Sequence, residues 1–146
     1  EPWRFQVFQG ESRSELSMTM QRIYRETTPA NEFREEKLKK MSQNPVLAPV
    51  VIAWCMERHA GKIPEIEEIE ATACAAQNFF LGACAAGLAA YWSTPPLIYS
   101  REFGAWLGLG PEDRCLGLFY LGWPRENLPT PPGIRHPVAE KIRWRS

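Results

Sequence analysis

The sequence has few histidines and no surplus of either charge. Its two histidines, His59 and His136, lie in polar or proline-containing surroundings, so we expect no histidine-based metal site. Lys and Arg together number 17, as do Asp and Glu. Nucleic-acid binders usually carry a basic surplus on one face. The balance therefore predicts a protein without nucleic-acid partners.

No pair of cysteines has the CxxC spacing that is typical of zinc and redox sites. The cysteines lie inside apolar runs, which favours buried, reduced thiols in a cytoplasmic protein over disulfides. A cysteine redox protein would need a thiol of lowered pKa beside a basic neighbour, and the apolar settings argue against one. The four cysteines are Cys55, Cys74, Cys84 and Cys115.

Charged side chains are absent from residues 71–92, where only Thr72, Gln77 and Asn78 are conventionally polar. The run is long enough to cross a bilayer. However, Ala and Gly drive insertion weakly, and the preceding residues 64–70 are acidic rather than basic. We therefore expect no membrane partner and, instead, a central helix that is buried on nearly all sides.

The chain also lacks an initial Met and a secretory signal. It begins at Glu1, and no basic and apolar leader precedes the first predicted strand. An N-terminal segment has either been removed or lies outside the given sequence, and the residues do not decide between the two.

The remaining pattern predicts one domain, residues 1–146, in which strands alternate with helices. Ser12 and Glu15 match a capping box for a helix over residues 14–25, whose apolar positions are Leu16, Met20 and Ile23. A long helix begins at Glu65. Strands are predicted over residues 3–9, 47–55 and 114–123. The last two are apolar on both faces, which indicates an α+β fold of mixed layers with helices on each face of the sheet.

The long helix carries two features that suggest contacts with other molecules. Small residues recur at four-residue spacing, Gly82 with Ala86 and Ala83 with Gly87, which permits close packing in a core or a dimer seam. Residues 92–94, Trp-Ser-Thr, are predicted to form a turn at its end, closed by two prolines. Such a turn offers hydroxyls and backbone N–H groups to the edge of a flat ligand. The alternative is that Trp92 is a core residue and the turn is ordinary.

Three segments resemble the flavin-dependent nitroreductase family, in the family's order. They are PWRF at residues 2–5, AAQNFFLGACAAGLAAYWSTPP at 75–96 and LGLGPEDRCLGLFYLGWP at 107–124. The segment between the 47–55 strand and the long helix is short, which is most similar to the small-loop branch of the family.

The resemblance implies an α+β homodimer with the long helices at its centre and FMN at the subunit interface. It implies hydride transfer from NAD(P)H through the flavin to a nitroaromatic, a quinone or a similar flat acceptor. Trp92, Ser93 and Thr94 match positions that hold FMN, and Arg135 matches a position where some branches place an arginine on the FMN phosphate. No catalytic side chain is implied, because the cofactor carries the chemistry.

One part of the family pattern is absent from the given sequence. The arginine cluster that the family's N-terminal helix places on the FMN phosphate does not occur ahead of PWRF. An alternative function is therefore a dimeric interaction or storage protein, flavin-binding or flavin-free, without turnover.

Overall fold

The structure, a computed structural model, describes residues 1–126 and 133–145. A four-stranded antiparallel sheet carries helices on both faces, which confirms the predicted α+β class. In chain order the elements are β1 (Trp3–Gln9), α1 (Ser12–Thr27), α2 (Glu35–Leu47), β2 (Val50–Met56), α3 (Glu65–Ala85), β3 (Ala89–Ser93), α4 (Arg101–Trp106) and β4 (Arg114–Gly122). Single-turn 3₁₀ helices occupy Pro96–Tyr99 and Val138–Lys141.

The strands lie in the order β1-β2-β4-β3, so β1 and β3 form the two edges of the sheet. The prediction of three strands was incomplete, because β3 lies where the long helix and its turn were expected. Helix α3 ends at Ala85, and Gly87, with a φ of 77°, reverses the chain so that β3 returns along β4. Residues in this left-handed conformation are usually glycine, because glycine has no Cβ to clash.

The side chains of β2 alternate between two apolar cores. Val51, Ala53 and Cys55 pack with α1, α2 and α4, whereas Ile52 and Trp54 pack with α3. This burial on both faces is what a continuous apolar run predicts. The strand nevertheless begins at Val50 rather than at residue 47, because α2 continues through Leu47.

Helix α1 confirms its predicted core positions but not its predicted cap. Leu16, Met20 and Ile23 are buried against the sheet. The helix begins at Ser12, and its N-cap residue is Glu11, without a side-chain hydrogen bond. The Ser12 hydroxyl instead accepts from the Gln9 N–H at 2.9 Å and donates to the Gln9 carbonyl at 2.8 Å. The capping box was wrong because Ser12 closes the turn after β1.

The expectation that α3 is buried on nearly all sides is wrong for the single chain. Its buried residues are Glu68, Thr72, Ala76 and Ala83, and they face the sheet. The opposite face is exposed, with Leu81 at 57%. Two of the thiols expected to be buried, Cys74 and Cys84, lie exposed on this helix, while Cys55 and Cys115 are buried. None of the helices in the described part of the chain is long and apolar enough to span a membrane.

Candidate functional site

Trp92 and Ser93 lie on the edge strand β3, and Thr94 follows it directly, so the predicted turn at the end of α3 was wrong. Within the described residues β3 pairs only with β4, which leaves its outer edge open. The N–H and C=O groups on such an edge are free to bind another molecule. The groups predicted to bind a ligand therefore lie at the edge of a sheet rather than at the end of a helix.

The Trp92 indole lies flat on the sheet. It stacks on Phe119, with ring centroids 5.3 Å apart and planes 27° apart, and its Nε1–H donates to the Leu116 carbonyl at 3.3 Å. A Cβ at Gly117 would overlap the indole ring, so this close approach requires glycine. Trp92 is 39% exposed, so part of the ring remains accessible.

The two hydroxyls after Trp92 are available for binding. Ser93 is half-buried and Thr94 is exposed, and neither hydroxyl makes a hydrogen bond to any residue that the structure describes. Side chains alternate along a strand, so Trp92 points to the face covered by α3 and Ser93 to the opposite face. The open backbone edge of β3 lies between them.

Trp92 ends a row of aromatic rings that crosses the sheet beneath α3. The ring centroids of Phe119 and Trp54 lie 5.2 Å apart, and those of Trp54 and Phe5 on β1 lie 4.3 Å apart. The Trp54 Nε1–H donates to the Thr72 carbonyl at 3.0 Å and so ties α3 to the sheet. The far end of the row opens into an apolar groove of about 460 Å³. This groove is lined by Trp3, Phe5, Val7, Ile52, Trp54, Ala75, Asn78 and Phe79.

The structure does not bring Arg135 to these residues. The Arg135 side chain is exposed, and its Nη1–H donates to the neighbouring Ile134 carbonyl at 3.0 Å. No hydrogen bond joins Arg135 to β3 in the part of the chain that is described. A role in binding phosphate stays a prediction.

Sequence reasoning missed the residues that support Trp92. Gly117 and Phe119 were assigned only to a strand, although a glycine within an apolar strand often marks the close approach of another group. On the opposite face of the same two strands, the rings of Tyr91 and Tyr120 stack with their centroids 6.3 Å apart. Burial, with a smaller effect from Tyr91, raises the pKa of Tyr120 to about 12. Tyr120 therefore stays neutral at physiological pH.

A buried charged cluster joins α3 to the loop after β2. The Glu68 carboxylate is fully buried and accepts hydrogen bonds from the Arg58 guanidinium and from the His59 backbone N–H at 2.9 Å. His59 Nδ1 also lies 2.9 Å from Glu68 Oε1. Burial alone would raise the pKa of Glu68, but the hydrogen bonds from Arg58 and His59 outweigh it and hold the pKa below its usual value.

Comparison with known proteins identifies the family. The sequence profile of the Nitroreductase family matches residues 1–123. The chain belongs to the nitroreductase family.

Named relatives of this nitroreductase-family chain occur in two bacteria. "Putative NAD(P)H nitroreductase YdjA" of Escherichia coli (strain K12) is 27% identical over 141 residues, which cover 94% of this chain and 74% of YdjA. YfhC of Bacillus subtilis (strain 168) carries the same type of name and is 24% identical, covering 86% of this chain and 64% of YfhC.

Solved structures agree with this assignment. The nitroreductase-like family protein from Bacillus cereus superposes with a TM-score of 0.81 at 26% identity, covering 98% of this chain and 73% of that one. NfnB, an FMN- and NADPH-dependent nitroreductase from Sphigopyxis sp. strain HMH, superposes with a TM-score of 0.68. At 19% identity, with coverage of 99% of this chain and 80% of that one, NfnB supports the fold alone.

Proposed function

We propose that this chain is an FMN-dependent oxidoreductase that passes hydride from NAD(P)H to a nitroaromatic, a quinone or a similar flat acceptor. The observation that carries the proposal is the half-exposed Trp92 indole beside the open edge of β3. Membership of the nitroreductase family and the name of YdjA support an oxidoreductase with NAD(P)H as the donor.

The groups at β3 fit the ring system of FMN. An isoalloxazine ring has carbonyl oxygens and ring nitrogens along one edge, which need donors and acceptors in a single plane. The open strand edge offers backbone groups of both kinds, and the Ser93 and Thr94 hydroxyls flank it. Trp92 adds an aromatic wall beside that edge. The described residues around β3 can therefore hold the isoalloxazine ring, but they include no group that is suited to the FMN phosphate.

Each proposed residue has a distinct role. FMN, when bound, supplies the two-electron hydride chemistry. The backbone edge of β3 and the hydroxyls of Ser93 and Thr94 orient the ring, and Trp92 limits the access of water to one side. Arg135 is the proposed phosphate ligand, because a guanidinium matches phosphate oxygens in two parallel hydrogen bonds. We assign no proton transfer to a side chain.

The proposal also includes a cytoplasmic homodimer built on α3 from a single domain, residues 1–146. The exposed face of α3 presents Leu81 and Gly82, and the exposed Ala86 directly follows the helix. An exposed apolar surface of this kind is typical of an interface. The four free thiols are compatible with a reducing compartment.

Removal of the two hydroxyls tests the site. The double variant Ser93→Ala with Thr94→Ala loses two hydrogen bonds to the flavin, which we expect to weaken FMN binding about tenfold. Binding is measured by quenching of flavin fluorescence. The control is Ser14→Ala with Thr19→Ala on α1, which should bind FMN like the unmodified chain. Equal affinity in both double variants would reject the assignment of Ser93 and Thr94.

Riboflavin provides the matched test for Arg135, because it lacks the phosphate. We expect Arg135→Ala to weaken FMN binding and to leave riboflavin binding unchanged. A loss of affinity for both ligands, or for neither, would contradict a phosphate contact.

Turnover separates the oxidoreductase from a storage protein. We expect the yellow colour of the FMN-bound chain to bleach when NAD(P)H is added and to return when a quinone is added. A flavin that stays oxidised in excess NAD(P)H would support the storage function instead, and a chain without affinity for flavin would support a scaffold.

A further inference from the structure

Two buried thiols face each other across the centre of the sheet. Cys55 on β2 and Cys115 on β4 are register partners in an antiparallel pair. A β-bulge lies beside them, because Trp54 pairs with Gly117 and leaves Leu116 without a partner. Both cysteines belong to the same buried cluster, so their side chains point to the same face.

This arrangement meets the distance requirement for a disulfide. Directly opposed residues in antiparallel strands have Cα atoms about 4.5–5.5 Å apart. Disulfides span Cα separations of about 4.4–6.8 Å. Both thiols are free in the structure. The register therefore places the two Cα atoms within the range of separations that a disulfide spans.

One of the two cysteines, Cys115, lines a cleft between α4 and the start of β4. The cleft has a volume of about 550 Å³, and Cys115 lines it beside Arg114. Cys115 is 3% exposed, whereas Cys55 is fully buried behind it. A small oxidant that enters the cleft therefore meets Cys115 first.

The cysteine that lines the cleft, Cys115, also has the more acidic thiol of the two. The interaction between the two thiols lowers the pKa of Cys115 and, together with burial, raises the pKa of Cys55, while the Cys115 Sγ lies 3.7 Å from the Gly117 carbonyl oxygen. The thiolate is the form that reacts with peroxides.

We propose that Cys55 and Cys115 form a peroxide-sensitive dithiol that closes to a disulfide between β2 and β4. A hydroperoxide is the oxidant. The Cys115 thiolate attacks its terminal oxygen, the O–O bond breaks, and Cys115 becomes a sulfenic acid while the leaving oxygen takes up a proton. The Cys55 sulfur then attacks the Cys115 sulfur, loses its proton and displaces hydroxide, so that water is released. The sulfur pair loses two electrons, and the peroxide gains two.

The exposed cysteines supply the control. Cys74 and Cys84 lie ten residues apart on α3, which is about 15 Å at the rise of an α-helix. They cannot join to each other within one chain. The variant Cys74→Ser with Cys84→Ser therefore isolates the proposed pair.

The experiment treats this double variant with hydrogen peroxide under native conditions. We expect both remaining thiols to be lost, the intact mass to fall by two hydrogens, and a non-reduced digest to contain one Cys55–Cys115 linked peptide. Dithiothreitol should restore both thiols, and the oxidised form should melt at a higher temperature. In Cys55→Ser, a dimedone adduct should appear at Cys115, because no thiol remains to resolve the sulfenic acid.

Three results would overturn the proposal. They are two titratable thiols after oxidation of the folded double variant, a linked peptide that forms only in denaturant, and a disulfide that joins two chains. None of these outcomes depends on flavin binding, so the dithiol and the proposed function are tested separately.

Discussion

At the scale of residues, Gly117 and Trp92 depend on each other. The indole occupies the space in which a side chain at position 117 would lie. Its contacts with Phe119 and the Leu116 carbonyl hold Trp92 against the sheet. The absence of a side chain at Gly117 on β4 therefore determines where the Trp92 ring lies on β3.

Gly117→Ala should displace Trp92 from the sheet. We expect a loss of about 1–3 kcal/mol in the free energy of unfolding, typical of overpacking, and weaker flavin binding. The measurements are urea unfolding and a flavin titration. Gly104→Ala on α4 is the control, because its Cβ would meet Leu109 only at 4.0 Å. Equal stability and equal flavin affinity in both variants would show that the position of Trp92 does not depend on a glycine at position 117.

The buried Glu68 cluster predicts a dependence of stability on pH. The folded-state pKa of Glu68 lies below its ordinary value of 4.5, so the carboxylate stabilises the fold above that pH. This contribution is lost as the pH falls through the lowered folded-state pKa, because the carboxyl then becomes protonated.

Glu68→Gln should lower the thermal midpoint at pH 7, because the amide cannot accept from Arg58 and His59 as an ionised carboxylate does. We expect the difference from the unmodified chain to shrink when the pH is lowered below about 4.5, the ordinary glutamate pKa. The exposed neighbour Glu67 provides the control Glu67→Gln. A difference that stays constant between pH 7 and pH 3 would contradict the assigned ionisation.

Buried positions of the helices could be predicted from the sequence, whereas the contacts within the candidate site could not. Core positions such as Leu16 and Met20 follow from helical spacing, because local periodicity reports which face is buried. The contact between Trp92 and Gly117 depends on the pairing of β3 with β4. That pairing joins residues that are distant along the chain, and no local pattern encodes it. The roles of Trp92, Ser93 and Thr94 stay predictions based on resemblance.

At the scale of elements, β3 shows why the strand count was incomplete. It is five residues long and begins with Ala89 and Ala90, which continue the alanine-rich composition of α3. Alanine favours helices, so composition alone extends the helix too far. Only the backbone conformation at Gly87 separates the two elements. The start of α3 at Glu65 was confirmed, because proline and acidic residues mark a helix N-terminus.

Helix α3 also leads to a prediction about assembly. A Cβ at Gly82 meets no atom within 4 Å in the single chain, so a larger side chain is compatible with the fold of one subunit. We expect Gly82→Leu to weaken dimerisation at least tenfold while leaving the circular dichroism spectrum unchanged. Sedimentation velocity over a dilution series measures the effect.

The control is Arg25→Leu, which adds the same side chain at an exposed position of α1. If Gly82→Leu and the control associate equally well, this part of α3 lies outside the interface.

At the scale of the whole molecule, flavin binding and dimerisation should be coupled. The described residues of one subunit offer an open strand edge and an aromatic wall, whereas Arg135 lies on an exposed segment with no hydrogen bond to β3. In the proposed dimer, the ring-binding groups of one subunit are completed by its partner. A ligand that binds only the assembled form stabilises that form and favours assembly to the same extent.

This coupling predicts how FMN changes thermal stability. At 100 times its dissociation constant, a ligand of the folded state adds about 2.7 kcal/mol, or roughly 5–10 °C in the midpoint of a chain of this size. We expect this shift for the unmodified chain at concentrations where it is dimeric. The same shift should be absent in Gly82→Leu at concentrations where sedimentation shows monomers. An equal shift in the monomeric variant would mean that a single subunit contains the complete flavin site, and the proposed interface would then have no part in binding the cofactor.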